Sequence, residues 1–374
     1  MHVVSLIYSS ILVAFTLSAL STALLPSLRY LNLYGKTLEP AAAEPAESAA
    51  PAAAGVLGGL FAWVEKPVEK RRFGHFYVIG LASSGMALLQ MLFCYLYCGG
   101  DSDGECVSAA LLVRRTLAGV LAGQDDKLPS LPSRRQIADF LACALLCGKF
   151  VYLRQINDWA IAHSPSCVAE LLTNHDVATP LANVLLATFL EACQCLRRRL
   201  ECSVFDRAAA RSAAPPAYMR MGHYVVGVVF YVGVATAVWI DSLDQIIAAT
   251  SDRTLAGIFA GVDRAGALRM AAATALYVAA AASQTRSHLY LASLKKYTLP
   301  VEGPFRYLLC PHYTAEIAIY LALAVIVPTT AMKAVLLWTT VGLCVSSRQT
   351  RDYYEARFGA DAVRGKWAVI PLVF

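Results

Sequence analysis

Charged residues are scarce in this chain of 374 residues: only 16% are Asp, Glu, Lys or Arg, whereas 57% are hydrophobic. Soluble domains contain about 25% charged residues, and about half of their residues are apolar. Together with a mean hydropathy of +0.53, this composition excludes an ordinary soluble domain and predicts a chain that lies largely in lipid.

Motifs that mark common metal and cofactor sites are also missing. The cysteines form no CxxC pair and show no zinc-type spacing. Cys94/Cys98 and Cys143/Cys147 lie in apolar stretches, where cysteine is usually a small buried hydrophobic residue. No GxGxxG follows a strand, so the βαβ cradle for dinucleotides is absent. We therefore predict no metal site and no nucleic-acid partner, and any nucleotide must be bound by side chains at helix ends.

Long apolar runs are abundant, and a membrane-spanning helix needs about 20 mostly apolar residues. Seven stretches qualify or nearly qualify: Val3–Leu25, Phe76–Tyr97, Ala178–Leu196, Gly222–Ile240, Ala267–Ser283, Tyr313–Val327 and Met332–Val345. The last two are separated only by Pro328-Thr329-Thr330, which is typical of a tight hairpin. The sequence therefore predicts an all-α integral membrane protein, a bundle of about seven transmembrane helices.

Basic residues orient these spans, because Lys and Arg accumulate in short cytoplasmic loops. With seven spans, the arginine-rich segments after Ala178–Leu196, before Tyr313 and in the tail all lie on one side, and the acidic segment Asp241–Gly266 lies on the other. An eighth candidate, Ile137–Leu153, carries Asp139 and Lys149, and we interpret it as an interfacial or buried helix. The C-terminus is then cytosolic.

We treat residues 1–374 as one membrane domain with two unusual segments. Residues 39–60 form a low-complexity Ala/Pro/Glu spacer, which has no core-forming power. Residues 99–173 form an insertion. Val3–Leu25 lacks the basic start and cleavage site of a signal peptide, so it is interpreted as a retained span.

Polar residues cluster at the cytoplasmic ends of four spans, and ionisable groups at membrane depth usually mark a function. The clusters are "CLRRRLEC" (195–202), "SQTRSHLYLASLKK" (283–296), "CPHYTAE" (310–316) and "RQTRDYYEARFG" (348–359). Residues four apart share one helix face, as do Gln284 and His288, and His312 and Glu316. We expect the clusters to converge on one cavity open to the cytosol, and we interpret Arg197 and Arg199 as interfacial anchors.

Such a cavity would offer cationic donors for phosphates, together with imidazole, amide and carboxylate groups for ribose and amide groups. That chemistry suits a phosphorylated nicotinamide dinucleotide. A channel or scaffold, by contrast, would leave the same polar helix ends as simple anchors.

An ordered set of motifs goes further. The segments "YGKT" (34–37), "EKRRFGHFY" (69–77), "LRRRLECSVF" (196–205), "SQTRSHLYLASLKK", "PVEGPFRYLLCPHYTAEIAIY" (300–320) and "YYEARFGADAVRGKWAVIP" (353–371) occur in this order. Together they resemble the steroid 5-alpha-reductase family, in particular its type 3 branch. The match skips the spacer and the insertion.

The resemblance implies an endoplasmic-reticulum membrane enzyme that uses NADPH to reduce the α-isoprene double bond of a long-chain polyprenal, giving dolichal in dolichol synthesis. It also implies Glu65 as the carboxyl group that binds the substrate carbonyl. Pairing of Glu65 with Lys66 or Lys70 is the alternative. Cys195 stands where steroid-reducing members have a second carbonyl partner, a tyrosine.

The cofactor residues that the resemblance and the clusters imply are Arg198, Gln284, His288, Lys295, His312, Tyr313, Glu316, Arg351 and Tyr354. His312, and also Gly342, stand where many members have asparagine. Two other activities stay open: reduction of 3-oxo-steroids, and methyl transfer from S-adenosylmethionine, because "GPFRYLLCPHYTAE" also resembles an element of membrane methyltransferases.

Overall fold

The computed structural model describes residues 3–24, 56–97, 148–163, 179–210, 218–249, 255–295 and 298–371. The larger part of the spacer and of the insertion, the "YGKT" segment, and Cys98, Cys143 and Cys147 lie outside these residues. The described helices are α1 (Val3–Leu24), α2 (Val56–Glu65), α3 (Gly74–Tyr97), α4 (Gly148–Ala162), α5 (Leu181–Ala210), α6 (Met221–Ala237), α7 (Leu243–Ala249), α8 (Leu255–Ile258), α9 (Arg264–Ser293), α10 (Pro311–Ile326) and α11 (Thr330–Phe358).

Each of the seven predicted spans coincides with one of these helices: α1, α3, α5, α6, α9, α10 and α11. Four helical segments are long and apolar enough to cross a membrane: Lys70–Leu92, Met221–Ile247, Arg264–Ser293 and Thr330–Phe358. The all-α membrane fold is thereby confirmed, while membrane crossing by α1, α5 and α10 stays a prediction.

The link between α10 and α11 has the predicted tight form. Thr329 caps α11, and its hydroxyl accepts a hydrogen bond from the Met332 amide at 3.4 Å. Asp241, at the end of the α6 region, adds a second cap by accepting from the Ala331 amide at 3.2 Å. Side-chain caps of this kind satisfy amides that have no partner within a helix.

The eighth candidate is described only in part. Residues 137–147 lie outside the described chain, and α4 begins at Gly148 and continues nine residues beyond Leu153, to Ala162. Phe150 anchors α4 by packing edge-on against Trp239 at 5.2 Å.

A main core of buried apolar side chains joins α1, α5, α6, α9, α10 and α11. A smaller cluster at one end joins α3, α5 and α6. Beside that cluster, two short antiparallel strands, β1 (Pro67–Glu69) and β2 (Tyr218–Arg220), pair with Val68 opposite Met219. These contacts hold the ends of α3, α5 and α6 together, where the polar motifs lie.

The C-terminal tail packs beside the start of α10. The Leu309 and Cys310 amides donate to the carbonyls of Trp367 and Ala368 at 2.9 and 3.0 Å. The Thr314 hydroxyl donates to the Val369 carbonyl at 2.5 Å. The tail thus fixes the "CPHYTAE" turn from outside the bundle.

Candidate functional site

A buried carboxylate, Glu201, is the centre of a polar network at the end of the bundle. It accepts a hydrogen bond from Thr285 Oγ1 at 2.6 Å, and His288 Nδ1 lies 2.7 Å from it. It also accepts from Nη1 of Arg197 and from Nη1 of Arg198. These contacts with one carboxylate join two consecutive arginines of α5 to two residues of α9.

Helical spacing explains why these side chains meet. Gln194, Arg197, Arg198 and Glu201 lie at positions i, i+3, i+4 and i+7 of α5 and therefore share one face. Gln284 and His288 do the same on α9. Because α5 has 30 residues and is about 45 Å long, its arginine-rich part extends beyond a span of ordinary length.

The network continues to α10 through two glutamines. Gln284 Nε2 donates to the Glu316 carboxylate and lies 3.3 Å from the His312 carbonyl oxygen. Gln284 Oε1 accepts from Arg197 Nη2, as does Gln194 Oε1 at 2.6 Å. Gln194 Nε2 is 3.5 Å from both oxygens of Glu316. Three of the four predicted clusters therefore converge, as expected.

Tyr77 brings α3 into the network. Its hydroxyl accepts from Arg198 Nε at 3.2 Å and from Nη2 at 3.0 Å, and Arg198 itself is 9% exposed. Because Nη1 of the same guanidinium donates to Glu201, Arg198 forms hydrogen bonds with Tyr77 on one side and with Glu201 on the other. Arg198 thus fixes the relative positions of α3 and α5.

His288 has two competing neighbours at one ring nitrogen. Nδ1 lies 2.5 Å from Arg198 Nη1 and 2.7 Å from Glu201 Oε2. One nitrogen carries either a proton or a lone pair, so it forms only one of these two hydrogen bonds at a time. The opposite nitrogen, Nε2, forms no hydrogen bond within the described part of the chain and remains available to a ligand.

Arg197 was interpreted from the sequence as an interfacial anchor, and this interpretation is wrong. Its guanidinium also donates to Thr285 Oγ1 at 2.8 Å, in addition to Glu201, Gln194 and Gln284. Arg199, the residue expected to behave in the same way, faces elsewhere and donates to Ser203 at 2.6 Å. Arg197 and Arg199 are two positions apart, about 200° around the helix, and therefore face opposite sides of α5.

The fourth predicted cluster lies beside the network. Tyr354 is buried with Leu309, Cys310 and Val363, and Tyr313 packs against this group. The Tyr313 ring lies 4.3 Å from that of His312, which in turn is 5.5 Å from the ring of His288. A continuous row of rings therefore connects the two regions.

The remaining cations lie at the outer edge. Arg351 Nη2 donates to the Lys366 carbonyl at 2.5 Å, and Arg351 Nη1 is 3.9 Å from Glu355. Partial burial lowers the pKa of Lys366. Lys295 is exposed just after the end of α9. None of the hydrogen bonds or ion pairs among the described residues connects Lys295 or Arg351 to Glu201.

Glu65, the predicted carbonyl-binding group, is separate from the network. It is the half-buried last residue of α2, and it makes no hydrogen bond or ion pair with any described residue. The preceding residue, Val64, packs against Gly222 at the start of α6. The alternative pairing with Lys66 or Lys70 is not observed, and the role of Glu65 stays a prediction.

Sequence reasoning did not select Tyr77, Gln194 or Thr285 as site residues. The periodicity of α5 could have identified Gln194, which precedes Arg197 and Arg198 by one helical turn. Tyr77 lies within the quoted "HFY" motif, but no spacing rule connects it to Arg198. Among the described residues, no group of three or more His, Cys, Asp or Glu side chains could hold a metal ion.

The comparison with protein families concerns the C-terminal part of the chain. Residues 262–374 match the family described as 3-oxo-5-alpha-steroid 4-dehydrogenase. That segment contains α9, α10 and α11, and therefore every predicted cofactor residue except Arg198.

Three curated relatives match a part of the chain of similar length. The polyprenal reductase of Saccharomyces cerevisiae is 33% identical over 99 residues, covering 26% of this chain and 38% of that protein. Those of Xenopus tropicalis and Xenopus laevis are 30% and 31% identical, covering 27% and 26% of this chain and 36% and 34% of theirs. The matched part thus spans just over a third of each relative. Over residues 262–374, the chain is similar to the domain described as 3-oxo-5-alpha-steroid 4-dehydrogenase.

Proposed function

We propose that this protein is an NADPH-dependent reductase in the endoplasmic-reticulum membrane. Its substrate would be a long-chain polyprenal, and its reaction the reduction of the α-isoprene double bond to give dolichal. The observation that carries the proposal is the joining of the family-matched segment to α5. Gln284 contacts Arg197, His288 lies beside Arg198, and Glu316 lies 3.5 Å from Gln194. Three curated polyprenal reductases are similar to about a quarter of this chain.

The donor set fits a phosphorylated nicotinamide dinucleotide. Arg197 Nε is buried and has no hydrogen-bond partner among the described residues, and His288 Nε2 is open to a ligand. The outer cations Lys295 and Arg351 suit phosphate groups, which bind charged donors strongly. When bound, NADPH supplies a hydride for the β-carbon of the conjugated aldehyde.

The chain's own residues would hold the nucleotide on the aqueous side and the isoprenoid tail of the substrate in hydrocarbon. Gln284 and Glu316 lie at the polar end of α9 and α10, whereas the other ends of these helices are apolar and contribute to the main core. A polyisoprenoid tail remains in hydrocarbon, and a cytosolic nucleotide reaches the polar end. Such a division requires the polar network to face the cytosol.

Cofactor preference tests the proposal directly. We expect the purified protein to bind NADPH more tightly than S-adenosylmethionine, because Lys295, Arg351 and the Arg197 Nε group suit phosphates. Direct titration by calorimetry, followed by incubation of membranes with each cofactor and a polyprenal, measures the preference. Equal or reversed affinity would contradict the reductase and favour the methyltransferase, whereas turnover of a 3-oxo-steroid in place of polyprenal would indicate the steroid activity of the family description.

Topology gives an independent prediction. An engineered N-glycosylation acceptor in Asp241–Gly266 is expected to be glycosylated in the lumen, and one in the spacer at Glu44–Ala54 is not, because basic loops stay in the cytoplasm. A gel-mobility shift that is removed by endoglycosidase reports the modification. Glycosylation of the spacer together with an unmodified C-terminal acceptor would place Ile137–Leu153 across the membrane and exclude Glu65 from the cofactor side.

A further inference from the structure

Three buried oxygen atoms on three different helices have unfilled hydrogen-bonding capacity. They are Ser84 Oγ on α3, Glu191 Oε2 on α5 and Tyr320 Oη on α10. All three residues are 0% exposed, and none of these atoms has a hydrogen-bond partner in the described part of the chain. The other Glu191 oxygen accepts only from the Cys195 thiol, at 3.4 Å.

The register between α5 and α10 places Glu191 and Tyr320 at the same depth. Gln194 contacts Glu316 at 3.5 Å, and Asn183 Nδ2 donates to the Ile326 carbonyl at 2.7 Å. From the first contact to the second, the residue number falls along α5 and rises along α10, so the two helices are antiparallel. One turn from the Gln194–Glu316 contact, toward the apolar core, α5 presents Glu191 and α10 presents Tyr320.

The register between α3 and α5 brings Ser84 to the same level. Tyr77 contacts Arg198, and Gly80 lies so close to Cys195 that a Cβ at Gly80 would come within 2.7 Å of its sulfur. These helices are also antiparallel. One turn beyond Gly80 is Ser84, opposite the residue one turn before Cys195, which is Glu191.

Unpaired polar atoms at such a depth are costly. A buried donor or acceptor without a partner costs about 1–3 kcal/mol, and ionisable groups at membrane depth are retained where they serve a function. No cation among the described residues bonds to Glu191. A carboxylic acid that keeps its proton, beside two hydroxyl groups, is a set of three donors.

We infer that Ser84, Glu191 and Tyr320 form a binding site for the carbonyl oxygen of an isoprenoid aldehyde. A carbonyl oxygen only accepts, with two lone pairs, and so complements a site of donors. The position also fits, because the site lies one helical turn deeper than the network proposed for the nucleotide. This inference rests on the proposed function, and it assigns the oxygen contact to Glu191 and Tyr320, where the resemblance implied Glu65.

The site would stabilise the negative charge that develops on the aldehyde oxygen during reduction. Hydride from the reduced nicotinamide forms a C–H bond at the β-carbon, and the electron pair of the C=C bond shifts through the conjugated system onto oxygen. The Glu191 O–H bond breaks as its proton passes to that oxygen, giving an enol, while Tyr320 and Ser84 donate hydrogen bonds. The enol becomes the saturated aldehyde when a proton from water adds to the α-carbon and the enol O–H proton returns to Glu191, so that the net addition is the hydride and one solvent proton.

Isotope-edited infrared spectroscopy tests the contact without any reaction. The full-length protein in detergent is mixed with farnesal, a short isoprenoid aldehyde, carrying carbon-13 in its carbonyl group, and no cofactor is added. We expect the carbonyl band to shift to lower frequency relative to farnesal in protein-free micelles. The shift should be lost when Glu191→Leu and Tyr320→Phe are combined, and partly retained in Glu191→Gln, whose amide still donates.

Kinetics and stability separate this role from a structural one. Removing one preorganised donor to an oxyanion typically costs about a hundredfold or more in kcat, and we expect that loss, with a much smaller change in KM, for Glu191→Leu. Thermal stability should change little, because the only hydrogen bond lost is the weak one from the Cys195 thiol to Glu191. The matched control is Thr339→Val, which removes another buried hydroxyl without a partner, on α11, and should leave kcat unchanged.

The outcomes distinguish the two proposals. A carbonyl band that stays at its micelle frequency, or that shifts equally in the wild-type protein and the combined variant, overturns the oxygen site. Unchanged kcat in Glu191→Leu and Tyr320→Phe overturns it as well. A shifted band that depends on these residues, in a protein that reduces no polyprenal with NADPH, supports the oxygen site and overturns the proposed function.

Discussion

Glu201→Gln is expected to destabilise the protein by about 3–5 kcal/mol, the usual cost of removing one partner from a buried ion pair. The substitution preserves size but removes the charge that two arginines share, and it turns an amide N–H toward donors. Thermal unfolding in detergent, followed as the loss of the monodisperse peak in size-exclusion chromatography after heating, measures the effect. Yield from membranes should fall in parallel.

The matched control for this prediction is Glu355→Gln. Glu355 pairs with Arg351 at 3.9 Å, and its side chain is 41% exposed, so the loss should stay below about 1 kcal/mol. In both variants, an amide replaces a carboxylate that pairs with arginine near a helix end. Equal changes in unfolding temperature would contradict the central role of Glu201.

Hydropathy was sufficient to place the helices but not their ends. Every predicted span coincides with a helix because about 20 apolar residues have no other way to satisfy their backbone in lipid. The predicted third span stopped at Leu196, whereas α5 continues to Ala210. Arg197 and Arg198, just beyond Leu196, contact side chains of neighbouring helices, an arrangement that a one-dimensional hydropathy pattern does not contain.

Periodicity predicted which polar residues share a face, and these pairs meet in the structure. Gln284 with His288 and His312 with Glu316 were correctly grouped, because positions four apart on a helix are neighbours. Periodicity does not say which face turns to which neighbour. For that reason Tyr77, on α3, was not connected to Arg198, and the depth shared by Glu191 and Tyr320 became visible only from the register of two helix pairs.

The same limit explains the error at Arg197. The run of three arginines at a helix end is typical of cytoplasmic anchors, and the rule treats its members alike. Tertiary packing separates them: Arg197 and Arg198 turn toward α9 and α3, and Arg199 turns toward Ser203 on its own helix. A positive-inside count therefore predicts an orientation, which stays a prediction, and it does not identify which arginines are structural.

Arg197→Ala provides the decisive measurement on this point. The side chain donates to Glu201, Thr285, Gln194 and Gln284. Its loss leaves part of the Glu201 charge unpaired and should cost about 3 kcal/mol of stability. We also expect NADPH affinity to fall at least about tenfold, since a contact with a charged donor contributes about 1.5–3 kcal/mol and the buried Nε group is lost.

Arg199→Ala is the control, because it removes an identical side chain two positions away on the same helix. Its guanidinium is half-exposed and bonds only within α5, so stability and NADPH affinity should change little. If the two variants behave alike in unfolding temperature and in calorimetric titration with NADPH, Arg197 is an interfacial anchor after all. If Arg197→Ala alone loses stability but keeps its affinity for NADPH, the network holds α5, α9 and α10 together without touching the nucleotide, and the nucleotide must then bind to the outer cations Lys295 and Arg351.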